Sequence, residues 1–343
     1  MFHPLIVLET CDRCQADQHA THQWGDVAIP EIGEQNRRLL ATRDAGTPVR
    51  LPDRPAWSRP YVCSAPVQPA LALLGHPVAG NPTQYMLEKA FQHHELDWEY
   101  LSLDVPPEDL GDAVRGMRSM GFYGGNCVDP HKQAVIQYLN RVSPAVELIG
   151  AVNCVLREDR QLIGENTEGK AFLETLRRRL DPADKRFVLF GAGRMARAIA
   201  VELAQAKAAG IVVVSRNETH GRHLVDLLVT SLGAAASLAV WEGDSAVAPE
   251  THVVVNPTSI GMDDEDARVP VRLETLAPEM LVADVIANPP RTRLLREAAE
   301  RGCKTIDGLE IFIAQTAVNF RLWTGVDPDL TVLREAIEEF LEL

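Results

Sequence analysis

The chain lacks any apolar run long enough to cross a bilayer, and its basic residues are too few to balance its acids. A membrane-spanning helix needs about 18 consecutive apolar residues, and no stretch of the 343 approaches that. Lysine and arginine number 34 against 48 aspartates and glutamates, for a formal net charge of −14. Such a surface repels phosphate backbones and anionic lipid, which argues against nucleic acid and membrane partners. Cysteine is scarce, and Cys11, Cys14, Cys63, Cys127, Cys154 and Cys303 show no regular pairing. That usage fits reduced thiols in a cytoplasmic protein. The opening MFHPLIVLETCDRC has no basic start and only a short apolar patch, so it does not read as a secretion signal.

What is present is a large apolar fraction, 46%, in a length that suits two domains of ordinary size. Residues 1–66 are irregular, and Pro48, Pro52, Pro55, Pro60 and Pro66 stop any long element in their second half. They are expected to form an extension and linker. From Ala70 the pattern alternates. Ala70–Gly75 is an apolar strand, Thr83–Glu95 has helical spacing, Trp98–Asp104 alternates as a strand, and Pro107–Met120 is a helix opened by Pro-Pro-Glu-Asp. Gly124–Val128 is a strand end and Lys132–Leu139 is helical. Gly150–Arg157 and Gln161–Gly164 form a hairpin. A second series follows, with strands at Arg186–Phe190, Ile211–Ser215, His252–Asn256 and Leu281–Ile286. Helices are expected at Arg194–Ala208, Gly221–Leu232, Thr292–Arg301, Leu309–Leu322 and Leu330–Leu341. This is an α/β chain, and its nearly continuous apolar strands fit parallel sheets covered on both faces.

Gly191-Ala192-Gly193-Arg194-Met195-Ala196 lies between a strand and a helix. The first glycine makes a tight turn, the second lets backbone approach a pyrophosphate, and Ala196 is small enough for helix–strand contact. The free N–H groups of the helix start then face the phosphates. The next strand ends in Ser215-Arg216-Asn217, where an NAD site wants an acid. Arg216 suits a 2′-phosphate through its planar fork, which favours NADP. Glu218 keeps NAD in play as the lesser option.

Three further segments gather polar groups at the ends of apolar runs: Gly125-Asn126 through His131-Lys132, Gly150-Ala151-Val152-Asn153, and Gly164 through Gly169. Together they offer one lysine, several amides and carboxylates, enough to grip a polyol and move a proton. A lysine at a helix start is poorly placed against the helix dipole, which points to a use for Lys132. His131 is expected to point away from the chemistry.

Here the chain resembles the shikimate dehydrogenase family, over roughly residues 70–341. The likeness rests on those three segments, the glycine loop, Asn256-Pro257-Thr258-Ser259-Ile260-Gly261-Met262, and Asp307-Gly308-Leu309 with Gln315, all in the family's order. The resemblance implies a substrate domain at 67–172 and 307–343, a Rossmann-type NADP domain at 173–306, and C-terminal helices returning to the first domain. It implies NADP-dependent, reversible oxidation of shikimate to 3-dehydroshikimate. By position, Lys132 and Glu168 are catalytic, and Asn126, Asn153 and Gln315 bind substrate. Gly191, Ala192, Gly193, Arg194, Met195, Ser215, Arg216, Asn217, Thr258, Val285 and Gly308 surround the cofactor. The pocket departs from the family in several places. Asn81 and Thr83 stand where it has two serines, Val128 replaces a threonine, Glu168 an aspartate, and Ala287 a tyrosine. The expected partner is a small cyclic hydroxy acid, bound by a monomer or homodimer. Quinate-like acids, or a low-turnover NADP-binding sensor, are the alternatives to shikimate. No metal is expected in the active site. Cys11, Cys14, His19 and His22 could hold zinc, although their spacing matches no common finger.

Overall fold

The computed structural model describes residues 68–264 and 266–343, so the extension and the Cys11, Cys14, His19 and His22 group lie outside the described residues. The first half alternates as the pattern requires. Strands β1 (Ala70–Gly75), β2 (Glu99–Asp104) and β3 (Gly124–Cys127) are separated by helices α1 (Thr83–His93) and α2 (Leu110–Met120). Next come α3 (His131–Ala134), β4 (Arg141–Val142), α4 (Pro144–Ile149), the hairpin β5 (Cys154–Glu158) and β6 (Gln161–Glu165), and α5 (Glu168–Arg177). The second half holds β7 (Arg186–Phe190), α6 (Arg194–Gln205), β8 (Gly210–Ser215), α7 (Glu218–Leu232), β9 (Ala236–Val240), β10 (Val253–Asn256), β11 (Leu281–Asp284), α8 (Arg293–Glu300) and β12 (Lys304–Ile306). Helices α9 (Gly308–Thr324) and α10 (Leu330–Leu341) close the chain. Among the described residues no helix is long and apolar enough to cross a membrane.

Two six-stranded sheets result. The first has the order β2-β1-β3-β5-β6-β4, with antiparallel pairing only at β3–β5 and β5–β6. The second, β12-β11-β10-β7-β8-β9, is parallel throughout, the doubly wound order of dinucleotide-binding sheets. Strand β1 shows why its apolar run is continuous. Leu71 and Leu73 face one core with Phe91, Tyr100, Phe320 and Ile337, while Ala72 and Leu74 face another with Val114, Met117 and Val155. Helices α9 and α10 thus return to the first sheet, as expected. A third core runs from Ile149 and Ala151 through Phe172 and Leu176 of α5 to Leu189 and Val213 of the second sheet.

The structure departs from the sequence reading locally. Pro107–Asp109 is a 3-10 turn, and α2 starts at Leu110. The helix expected over 132–139 is a four-residue α-turn followed by a 3-10 turn at Val135–Tyr138. The first hairpin strand starts at Cys154 rather than Gly150, because Pro144–Ile149 forms a helix capped by Ser143 and ended by Gly150 in the left-handed region. Strands β4, β9 and β12 were not expected. Each is a short edge strand with little buried apolar surface, so it carries no hydrophobic signal.

Candidate active site

The site forms where β3, the β6–α5 junction and α9 converge. Asn126 on β3 is buried, accepting a hydrogen bond from the Tyr100 hydroxyl at 2.8 Å and donating to the Asn153 carbonyl at 2.9 Å. Its neighbour Cys127 is also buried, and burial pushes its thiol up to about 12, so it stays neutral at ordinary pH. Beyond the strand, the buried His131 ring lies 2.7 Å from the Val105 carbonyl, which the ring N–H meets as donor. That contact turns His131 inward, as expected, and leaves Lys132 on the cleft side.

Lys132 donates to the Glu168 carboxylate, with its side chain 17% exposed and that of Glu168 only 3%. Burial alone would lower the lysine, but attraction to Glu168, with a smaller contribution from Asp129, holds its ammonium above the usual value. Glu168 is fixed from behind. The Asn166 side chain accepts from the Glu168 N–H, and the next residue, Gly169, packs so tightly on α6 that an added Cβ would lie 2.3 Å from the Ala198 carbonyl oxygen. A buried chain of hydrogen bonds ties the rear wall together. Asn153 Nδ2 donates to Thr167 Oγ1 at 3.0 Å, and that hydroxyl donates to Asn319 of α9 at 2.7 Å.

Two cavities meet at this ion pair. The first, about 170 Å³, is lined by Asn81, Thr83, Asn126, Lys132, Asn153, Glu168 and Gln315. Every residue named from the sequence for catalysis or substrate binding is therefore in one pocket. Leu73, Cys127, Val128, Met195, Phe312, Thr316 and Asn319 complete it. The second, a cleft of about 580 Å³, is lined by Gly191, Ala192, Gly193, Arg194, Met195, Ser215, Arg216, Asn217, Thr258 and Val285. It shares Lys132, Glu168 and Met195 with the first. Gly308 does not join it. An added Cβ there would meet the Ile286 carbonyl carbon at 2.2 Å, so this glycine serves the packing of α9 against the end of β11. Ala287 is in neither lining.

The cleft fits a dinucleotide on its own geometry. Gly191 has φ +114°, a left-handed conformation that favours glycine, and a Cβ on Gly193 would project into open space where a phosphate must approach. Asn217 caps α7 by accepting from the His220 N–H, leaving Arg216 exposed at the cleft wall. Opposite, Asn256 organises the loop after β10 by accepting from the Thr258 N–H and hydroxyl, and donates to buried Asp284 at 3.0 Å. Burial raises Asp284 to about 6 despite its bonds from Asn256, Thr292 and Ile286. Asp129 and Thr167 lie in segments singled out from the sequence but were given no role, and Asn319, Asp284, Trp241 and His220 were missed outright. Of these, Asn319 carried a signal, since it lies one helical turn after Gln315.

Across the mouth, Arg194 at the start of α6 donates to Asp129 at 2.5 Å, and Arg197 reaches the Ile149 carbonyl at 3.5 Å. The glycine-loop helix therefore grips the first sheet's side of the cleft at two points.

Comparison with known proteins gives a consistent result. The shikimate dehydrogenase substrate binding domain matches residues 73–155, and the shikimate 5'-dehydrogenase C-terminal domain matches residues 308–338. The shikimate dehydrogenase (NADP(+)) of Moorella thermoacetica is 38% identical over 273 residues, covering 78% of this chain and 92% of that protein. Among solved structures, the ligand-free 5-ketofructose reductase of Gluconobacter sp. strain CHM43 is 40% identical with a TM-score of 0.78, covering 79% of this chain and 98% of its own. The shikimate 5-dehydrogenase of Thermus thermophilus, solved with NADP(H) and shikimate, is 33% identical with a TM-score of 0.69, covering 80% of this chain and 100% of its own.

Proposed function

The chain belongs to the shikimate dehydrogenase family, and from that premise we propose that it interconverts a ring hydroxyl and a ketone with NADP, oxidising shikimate reversibly to 3-dehydroshikimate. It is an oxidoreductase, and its family places it in aromatic amino-acid biosynthesis. The observation that carries the reading is the Lys132–Glu168 pair standing in the wall common to both cavities. We further propose the domain division read from the sequence, with a substrate domain of residues 67–172 and 307–343 around the first sheet and a cofactor domain of 173–306 around the second.

NADP supplies the hydride acceptor when bound, and the protein supplies orientation and proton handling. In the reductive direction Lys132, kept as an ammonium by Glu168, gives a proton to the substrate oxygen as negative charge develops there; in the oxidative direction its neutral amine, formed by loss of one proton to solvent, takes the hydroxyl proton. Asn81, Thr83, Asn126, Asn153 and Gln315 hold the ring hydroxyls so that one carbon faces the cofactor cleft. The cleft residues that would hold NADP are Gly191, Ala192, Gly193, Arg194 and Met195, whose backbone N–H groups suit a pyrophosphate, then Ser215, Arg216 and Asn217, where Arg216 suits a 2′-phosphate, and Thr258 and Val285 on the facing wall. Gly308 supports this wall from behind.

The test is steady-state NADPH formation from shikimate. The parent protein is expected to turn over, and Lys132→Ala to lose roughly 100- to 10,000-fold in kcat with a smaller change in KM. Full kcat in that variant would remove Lys132 from the mechanism. The Gluconobacter relative is named for the reduction of 5-ketofructose, so alcohol–ketone chemistry on this scaffold extends beyond shikimate.

A further inference from the structure

Asp284 ends β11 beside Asn256 at the end of β10, its partner in register, and both residues are fully buried. Strand ends of this kind are where doubly wound sheets bind ligands. Among the described residues no lysine or arginine pairs with the Asp284 carboxylate. It is held by neutral donors: Asn256 Nδ2 at 3.0 Å, the Thr292 hydroxyl at 2.8 Å and the Ile286 N–H at 3.2 Å. A carboxylate buried without a cation costs stability, so packing gives no reason for its presence. Thr292 shows how far the local structure serves it. This residue stands at the N-cap of α8, yet its hydroxyl leaves the helix N–H groups uncapped and goes to Asp284 instead.

The carboxylate imposes a direction on what it touches. It only accepts, so the Asn256 carboxamide must turn its amino group to Asp284 and its oxygen to the loop beyond β10. That oxygen takes the Thr258 N–H at 3.1 Å and the Thr258 hydroxyl proton at 2.6 Å. The same hydroxyl accepts from the Ile260 N–H at 3.2 Å. With its proton and a lone pair so spent, Thr258 turns its methyl to the glycine loop, where an added Cβ on Gly191 would lie 2.8 Å from it. On the other side, the bond from the Ile286 N–H holds the Val285–Ile286 backbone, against which Gly308 of α9 packs. Thr258 and Val285 both line the cofactor cleft, while Asp284 lines neither cavity. One hidden carboxylate thus sets two parts of the cleft wall.

We propose that Asp284 is a positioning residue for the cofactor: by fixing the polarity of Asn256 and the path of Val285–Ile286, it holds the Thr258 loop in the form that receives NADP. This rests on the proposed NADP site and adds to it a residue hidden behind its wall. An amide at position 284 can offer an amino group to Asn256, reverse that side chain and set it donor to donor against the Thr258 N–H.

The experiment titrates NADPH into the full chain by calorimetry above neutral pH, where Asp284 is ionised, and measures shikimate turnover on the same preparations. Asp284→Asn keeps the shape of the side chain and removes the buried charge, so the variant folds. Its NADPH dissociation constant is expected to rise roughly 10-fold, as befits one reorganised hydrogen-bond network. Its kcat at saturating NADPH and its KM for shikimate are expected to change little. Asn256→Asp alone should also weaken binding, because it sets two carboxylates in contact. The exchanged pair, Asp284→Asn with Asn256→Asp, again sets one acceptor-only group against one carboxamide and keeps an acceptor toward Thr258. It is expected to recover most of the lost affinity. An unchanged dissociation constant in Asp284→Asn overturns the inference, as does an exchanged pair that binds no better than the weaker single variant. A parent protein that binds NADPH but does not oxidise shikimate overturns the proposed function and leaves the inference standing. A parent that does not bind NADPH overturns both.

Discussion

A buried ammonium touching a buried carboxylate is costly to desolvate, and removing either partner strands the other. At the active site this arrangement keeps Lys132 protonated against the effect of burial. Ketone reduction needs that ammonium and should fail as pH rises through its pKa. Glu168→Gln removes the main interaction that raises the lysine and leaves burial, which lowers it. The alkaline limb of the reduction rate in that variant should therefore move to lower pH. A limb in the same place would show that Glu168 does not govern the proton on Lys132.

Asp284 behaves oppositely. Its folded-state value, about 6, lies above the usual 3.8 because the carboxyl is buried. The folded protein thus holds a proton there that the unfolded chain has released between about pH 4 and 6. That stabilisation is present below the lower value and is lost as pH rises through the upper one, by about 3 kcal/mol. Melting temperatures of the parent and Asp284→Asn should therefore diverge with pH, the parent losing ground by several degrees between pH 4 and pH 7. A constant gap would mean that Asp284 does not titrate in this range.

At the scale of elements, the β8–α7 junction is where the proposed choice of cofactor can be tested. Arg216 leaves the strand at the cleft wall, and Glu218 on the first turn is occupied by Arg222. The acid that kept NAD in play is thereby partly neutralised. Arg216→Ala is expected to weaken NADPH binding by roughly 10- to 100-fold, the worth of charge-assisted bonds to a phosphate, while NADH binding stays nearly constant. Calorimetric titration of both cofactors checks this, and equal weakening would mean that Arg216 does not read the phosphate.

The central elements were legible because their signals are strong. Ala70–Gly75, and Arg186–Phe190 after its exposed first residue, are buried on both faces and read as apolar runs. The glycine loop and the lysine segment carried chemistry in their spacing. Ala236–Val240 did not, since its mix of half-exposed small residues is what an edge strand and a loop share. Pro144–Ile149 was hidden because six residues span less than two turns and show no periodicity. The Asn153–Thr167–Asn319 chain was illegible for another reason. Its hydrogen bonds join residues up to 152 positions apart, and no local pattern records such a pairing.

Across the whole molecule, α6 is the bridge. Its first turn follows the glycine loop that lines the cleft, while Arg194 holds Asp129 across the mouth. Both side chains are about half exposed, 45% and 59%, so the pair contributes no more than about 1 kcal/mol and can exchange partners. Arg194→Gln should weaken NADPH binding, and Asp129→Asn should strengthen it by freeing the guanidinium for phosphate. In the double variant the gain from Asp129→Asn should vanish. Additive effects on the dissociation constants would show that Asp129 acts by its charge alone and not through Arg194.

The return of α9 and α10 to the first sheet has a consequence for biosynthesis. The strands of the first sheet lack Phe320, Trp323 and Ile337 until α9 and α10 emerge, whereas all six strands of the second sheet lie in one contiguous stretch. At typical elongation rates the stretch from β12 to α10 takes on the order of a few seconds. The later-made sheet can thus close while the earlier one still carries an uncovered apolar face, so the nascent chain is most in need of chaperone shelter until α9 and α10 dock.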